Sequence, residues 1–573
     1  MKKHFFLPIM AITLLTLVGL SSCNLENLPS DEVSPEQLAK NYNGLCIMTD
    51  GNYAALKEDM PYKGKSTTSY TFVRRGLEML AFPADELIIQ GRTSSTIFEA
   101  YTMERTATLQ NVTYIWWCLY KVIMGANAVL EASQEGTSVE MDYLRGENYF
   151  LRAFCHLYLC NLYARPYALG KDNPGVVIQL TSGAGNEIKR ATVGECYDQI
   201  EKDLHKAIEL MDKGQRRGNN GYASKEAAQG LLSRVYLYKE EYDKVIKLVS
   251  DTMLAGAAYE SKLMTKEEFP TFYANTLTAH EALFCVAYTD AEVVELAQSL
   301  YAGMLFKDTI NGIGWGEAFA SDPMLDLYER YPEDMRYSVY INPQIRDASK
   351  YEVRFATASE SGRGDRPNVL YEATPVGEEY SFTTEAGENC TTFTEIEHTY
   401  PVRYANVAGQ KTRVRVAKKM NKSNCFPEFY VSKFSWQNGL AMGASPAFIR
   451  WGEVLLNLAE AYAKTPGSES KALDIVNVIR RRAGIREDGM FTSSNMVERG
   501  YPTVFDVVLE ERHLELAFEG FRLIDLTRNK RDIDRQFVGL HTWEVVPYTA
   551  DKILYPIPFD ELSVSGIEQN PGY

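Results

Sequence analysis

Between residues 510 and 528 stand eight charged side chains: Glu510, Glu511, Arg512, Glu515, Glu519, Arg522, Asp525 and Arg528. A pair of carboxylates, one protonated and one ionised, is what glycoside hydrolysis requires. The same residues also form three helical i,i+3 pairs: Arg512–Glu515, Glu519–Arg522 and Asp525–Arg528. A carboxylate held by arginine has a depressed pKa and makes a poor general acid. We therefore expect this cluster to be structural and the chain to have no catalytic residues. The seven histidines are scattered without an H-E-x-x-H, the nine cysteines include no C-x-x-C, and no EF-hand spacing occurs, so no cofactor and no metal site is expected.

Aromatic residues are the other chemistry on offer, with 36 Tyr, 25 Phe and 6 Trp. Trp116 and Trp117 are adjacent on a helical stripe, so they point to different sides and at least one belongs to the core. Trp451 sits on a stripe of its own. Trp315, in NGIGWGEAF, is flanked by glycines in a loop and belongs to no stripe; loops carry function more often than scaffold helices do. Trp436, in KFSWQNG, is a second loop tryptophan, for which packing beneath a long loop is the alternative.

The elements that must hold these residues are mostly helical. Residues 111–133 and 144–163 carry apolar side chains at helical spacing. Thr192-Val193-Gly194-Glu195 predicts a capping box, and Ser224 predicts an N-cap. After a turn at Glu240-Glu241-Tyr242, Val245, Ile246 and Val249 return antiparallel. Paired helices of this kind are tetratricopeptide-like, with an irregular period. From about residue 260 periodicity fades. Residues 340–445 predict short strands among long loops, as in Thr412–Val416. Helices resume at 448–464, 470–483 and 504–528. The predicted fold class is mainly α: a TPR-like scaffold with an irregular, loop-rich middle. Its organisation is one unit over 36–573, with halves 36–260 and 261–573.

The chain begins with Lys2 and Lys3, an apolar run from Phe5 to Leu20, and Ser21-Ser22-Cys23. The run is too short to span a bilayer, and its flanks predict a secretory signal over residues 1–22. Leu20-Ser21-Ser22-Cys23 resembles a bacterial lipobox, which implies acylation at Cys23 and a lipidated tether over 23–35. Loss of Lys2 and Lys3 takes the net charge from −16 to −18. That balance, without a dense basic block, excludes nucleic acid as a partner.

Four C-terminal stretches carry a family resemblance: FIRWGEVLLNLAEAYAK (448–464), VNVIRRRAGI (476–485), VVLEERHLELAFEGFRLIDLTR (507–528) and LYPIPFDELSVSGIEQNPGY (554–573). LRAFCHLYLCNLYARPY (151–167) and the Ala318–Arg336 stretch agree with them. In order and spacing they resemble the SusD/RagB family of outer-membrane lipoproteins. The resemblance implies a lipid-anchored outer-membrane protein, facing the cell surface, that binds glycan and delivers it as the lid of a SusC-like TonB-dependent transporter, without catalysis. A RagB-like peptide binder of the same architecture is the alternative, and a secreted glycoside hydrolase the second. Ligand sites in this family draw on the loops before the 111–133 helix and on the stretch ahead of Asp322-Pro323. Here those regions offer Arg74, Arg92, Phe98 and Tyr101, then Tyr273, Tyr288 and Trp315, with Trp436 added from its own loop.

Overall fold

The computed structural model describes residues 34–57, 71–92, 96–183, 188–297, 300–357 and 366–573. The apolar N-terminal segment and Cys23 lie outside the described residues. Among the described residues, no helix is long and apolar enough to cross a membrane.

The N-terminal half is built from α1 (Tyr42–Ala54), α2 (Phe72–Ala81), α3 (Thr96–Thr102), α4 (Gln110–Ala132), α5 (Val139–Tyr163), α6 (Val193–Leu210) and α7 (Lys225–Tyr238). Successive helices α4 to α7 pack as antiparallel hairpins. The capping box at Thr192 and Glu195 is formed in both directions, and the Ser224 hydroxyl accepts from the Ala227 amide, so both helix starts fall where the sequence puts them. Further along are α8 (Tyr301–Leu305), α9 (Asp322–Glu329), α10 (Trp451–Lys464), α11 (Glu469–Arg482), α12 (Val504–Glu515) and α13 (Arg522–Arg528). Phe448–Arg450, expected as helix, is strand instead. The expected 504–528 helix is broken between α12 and α13, where Phe518 and Gly520 take positive φ. Arg234 on α7 donates to both carboxylate oxygens of Glu453 on α10, at 2.6 and 2.7 Å, tying the two helical halves together.

Two short strands, β1 (Leu87–Ile89) and β2 (Ala318–Ala320), pair antiparallel, with Leu87 opposite Ala320. The middle of the chain, expected as short strands among long loops, is strand-rich, with the strands joined in one sheet. It forms an antiparallel sheet of β3 (Ile345–Ala356), β4 (Asn368–Val376), β5 (Glu379–Thr383), β6 (Asn389–Glu397), β7 (Tyr400–Val407), β8 (Gln410–Arg413) and β9 (Arg415–Met420), in the order β8-β7-β6-β5-β4-β3-β9. The edge strands β8 and β9 are separated by Val414 alone. One extended segment therefore pairs with β7 by its first half and with β3 by its second, closing the sheet into a barrel. Val353, Phe355, Ala373, Phe382, Cys390, Ala405 and Val414 fill it as a core of their own. Outward-facing Arg354 and Arg415 pair with Asp322 and Asp326 of α9 and so seat the barrel on the helical body.

The charged C-terminal cluster is buried except for Glu510 and Arg522, which are partly exposed, and its pairs differ from the helical i,i+3 set. Only Asp525–Arg528 forms as expected, at 2.7 Å. Glu515 instead meets Arg450 at 2.7 Å and Arg482 at 2.5 Å, while Glu519 meets Arg450 at 2.9 Å and Lys433 at 2.7 Å. Arg512 turns to Asp525 at 2.9 Å, and Arg522 to Asp85 at 2.8 Å. The helix break at 516–521 separates Glu519 from Arg522 and turns both toward partners distant in sequence.

Candidate ligand-binding platform

Trp315 and Trp436 are 55% and 48% exposed, an uncommon state for the residue type. Both rise from short loops that are tightly fixed. The Trp315 loop is a hairpin: Asp308 N–H donates to the Ile313 carbonyl and Gly312 N–H to the Asp308 carbonyl, each at 2.8 Å. The Asp308 carboxylate closes the turn by accepting from the Ile310 amide at 3.0 Å and from Asn311 Nδ2 at 2.6 Å. These bonds favour the ionised form and lower its pKa, with the Asn311 bond the largest contribution. Gly314 and Gly316 flank Trp315 at φ of 89° and 56°, conformations that favour glycine. A Cβ at Gly314 would strike the Phe306 carbonyl, and one at Gly316 the Tyr430 ring. The backbone beneath Trp315 thus lies directly on these two residues. Trp315 N–H also donates to the Gly303 carbonyl of α8, and Glu317 N–H to that of Met304, at 2.6 and 2.9 Å.

Trp436 reaches the same support. Its ring meets that of Phe306 edge-on, with centroids 6.0 Å apart, and Met442 from its loop packs under Gly314. The next residue, Gln437, anchors the loop: Nε2 donates to the Tyr288 carbonyl at 2.9 Å, and Oε1 accepts from Ser445 Oγ at 2.8 Å. Phe306 and Tyr430 pack edge to face beneath, at 6.2 Å. The result is two half-exposed indoles around one buried phenylalanine, with Ile310 and Ile313 exposed beside them.

The β1–β2 ladder brings a third segment to this region. Gln90 N–H donates to the Glu317 carbonyl at 3.1 Å, which sets the chain leading to Arg92 beside the Trp315 hairpin. Arg92 is exposed and lies 5.8 Å from the half-buried Phe98 ring. Four of the eight sequence candidates therefore lie at or near the surface, Trp315, Trp436 and Arg92 on loops and Phe98 in the first turn of α3.

The structure places the other four in buried positions, away from the surface expected of them. Arg74 is inside, where Nε donates to Glu78 at 2.9 Å and Nη2 to the Met304 sulfur at 2.8 Å, supporting α8 from below. Tyr101, three residues on from Phe98 in α3, is fully buried, packed 4.5 Å from the Arg535 guanidinium and 5.2 Å from His541. Tyr273 is core, with its hydroxyl against that of Tyr340 at 3.1 Å and its ring under Lys433. Tyr288 is core as well, and its backbone holds Gln437 and Ser445. Each belongs to an element whose inward face only the tertiary packing defines.

Glu99 and Glu317 were not singled out from the sequence. Each keeps one carboxylate oxygen, Oε2, without a hydrogen-bond partner among the described residues, and burial raises both pKa values against the pull of Arg75 on Glu99 and of Arg74 and Arg75 on Glu317. In both, that oxygen is enclosed by protein rather than open at the surface. Their places beside Phe98 and two residues after Trp315 were the available signal. Together these loops can do what a flat aromatic platform with polar neighbours does: stack against the C–H face of a ring while hydrogen-bonding its hydroxyls.

The chain is similar to known proteins along most of its length. A family profile described as starch-binding and associating with the outer membrane matches residues 85–237, and the SusD family profile matches residues 371–573. SusD-like protein P2 of Formosa agariphila is 25% identical, with all of both chains covered. A SusD superfamily protein from Bacteroides thetaiotaomicron superposes with a TM-score of 0.69 at 21% identity, covering 92% of this chain and 99% of that one. A laminarin-binding SusD-like protein superposes with a TM-score of 0.59 at 18% identity, covering 93% and 100%.

Proposed function

Because this chain belongs to the SusD/RagB family, we propose that it is a glycan-binding protein whose ligand stacks on Trp315 and Trp436. The observation that carries this reading is the pair of exposed indoles fixed on rigid loops around Phe306. A contiguous exposed apolar patch marks an interaction site more often than scattered single residues do. The laminarin-binding relative supports a polysaccharide of glucose-type sugars as the first ligand class to try.

The reading has no catalytic step. In support, the carboxylates of the C-terminal cluster are bound to arginines: Glu515, although burial opposes it, is held well below the ordinary range by Arg482, Arg450 and Arg336. A permanently ionised, enclosed carboxylate cannot donate a proton to a leaving group. Acylation at Cys23 would anchor the protein on the outer membrane, and a SusC-like transporter would receive the glycan. The platform suits that task, since an open surface releases cargo more readily than a closed pocket. Calorimetric titration with laminarin oligosaccharides tests the ligand assignment: binding that disappears in the Trp315→Ala/Trp436→Ala double variant supports it, and undiminished binding refutes it.

A further inference from the structure

The barrel has an end that the platform does not use. On the inward face of the sheet, Tyr351 of β3 and Tyr380 of β5 close the apolar interior, half-buried and with ring centroids 4.9 Å apart. Lys418 of β9 lies directly across the strand pair from Tyr351, and its Nζ stands 3.7 Å from the centre of that ring. Arg403 of β7 places its guanidinium 5.2 Å from the Tyr380 ring, with Nε 3.2 Å from Glu379. Glu379 in turn accepts from Thr392 and Thr394 of β6. Four strands thus bring two tyrosine rings, two cations and one carboxylate together at this end of the sheet.

The charge there does not balance locally. Lys350 and Lys419 on the opposite face share Glu372, at 3.1 and 3.0 Å, but Lys418 has no carboxylate partner among the described residues. On a chain of net charge −16, a cation without a counter-ion beside two aromatic rings is complementary to an anion that also has an apolar face. We infer that the barrel mouth is a second saccharide-binding site, separate from the Trp315 platform and selective for sugars carrying a carboxylate or sulfate ester. The acidic group pairs with Lys418 and Arg403, and the sugar ring lies against the tyrosines. This site stands or falls independently of the neutral-glycan reading of the platform.

The test is native electrophoresis of the purified protein through gels cast with polygalacturonate, alginate or carrageenan, with laminarin as the neutral control. Trp315→Ala weakens the platform, and Lys418→Gln removes the ammonium while leaving the barrel core intact. Thermal unfolding of each variant checks that it is folded. The expected result is retardation of Trp315→Ala in at least one acidic gel, weakened at least tenfold in the Trp315→Ala/Lys418→Gln double variant and by added salt, with the laminarin response of Lys418→Gln unchanged. Free migration of Trp315→Ala in all three acidic gels overturns the inference. Equal retardation with and without Lys418 overturns it too and leaves the two tyrosines as a plug of the barrel end.

Discussion

The Trp436 ring stands edge-on to Phe306 at 6.0 Å, and the backbone of Gly314, next to Trp315, rests on the Phe306 carbonyl. One buried residue therefore sets the positions of two exposed ones. Since each indole is half in water, removing either has little effect on the fold. Trp315→Ala should change unfolding free energy by no more than about 0.5 kcal/mol while weakening glycan binding at least tenfold. Chemical denaturation and calorimetry measure the two effects separately. A loss of several kcal/mol would return Trp315 to the core.

Glycine at 316 is required by φ of 56° and by contact with the Tyr430 ring. Gly316→Ala should cost about 1–2 kcal/mol from the left-handed backbone and should also weaken binding, because the strain is relieved by moving the adjacent Trp315. Full affinity in a destabilised Gly316→Ala protein would mean that the hairpin does not position the ring.

Glu515 and Glu510 are five residues apart in sequence, yet they should behave differently. Glu515 is enclosed by Arg450, Arg482 and Arg336. Glu515→Gln leaves those cations short of a counter-charge and should cost about 3–5 kcal/mol. Glu510 pairs with Arg330 at 3.0 Å at a partly exposed site, and Glu510→Gln should cost no more than about 1 kcal/mol. Urea unfolding of the two variants distinguishes them.

Glu86 gives a pH prediction. Burial, reinforced by the neighbouring charge of Asp85, pushes its pKa up to about 8 from the ordinary 4.5. The folded state therefore holds a proton that the unfolded state has released. The stabilisation from this group is complete below about pH 4.5 and is lost as pH rises to about 8. Glu86→Gln keeps an acceptor for the Phe518 amide, which lies 3.2 Å from Glu86 Oε2, and cannot ionise. Its stability relative to the parent should rise across that interval; a constant difference from pH 5 to 8 would contradict the assignment.

The helical scaffold was legible because capping residues and apolar stripes are local signals: Thr192, Glu195 and Ser224 cap the helices they predict. The barrel was not legible. Its inward positions mix Ala373, Cys390 and Ala405 with Val and Phe, and its closure depends on β8 and β9 being one segment shared by two edges. Trp315 and Trp436 could be picked out because glycines and loop composition left them outside any stripe. Tyr101, Tyr273 and Tyr288 look the same in sequence as a surface tyrosine, and only packing buries them. The i,i+3 pairing at Glu519–Arg522 failed because the helix breaks between them at Gly520.

The most direct measurement is native electrophoresis of the parent protein and the Trp315→Ala/Trp436→Ala double variant through gels cast with laminarin and other neutral polysaccharides. The account predicts that the parent is retarded in at least one gel and that the double variant, equally stable, migrates freely in it. Free migration of the parent in every gel, or equal retardation of both proteins, would contradict the claim that this aromatic platform binds glycan.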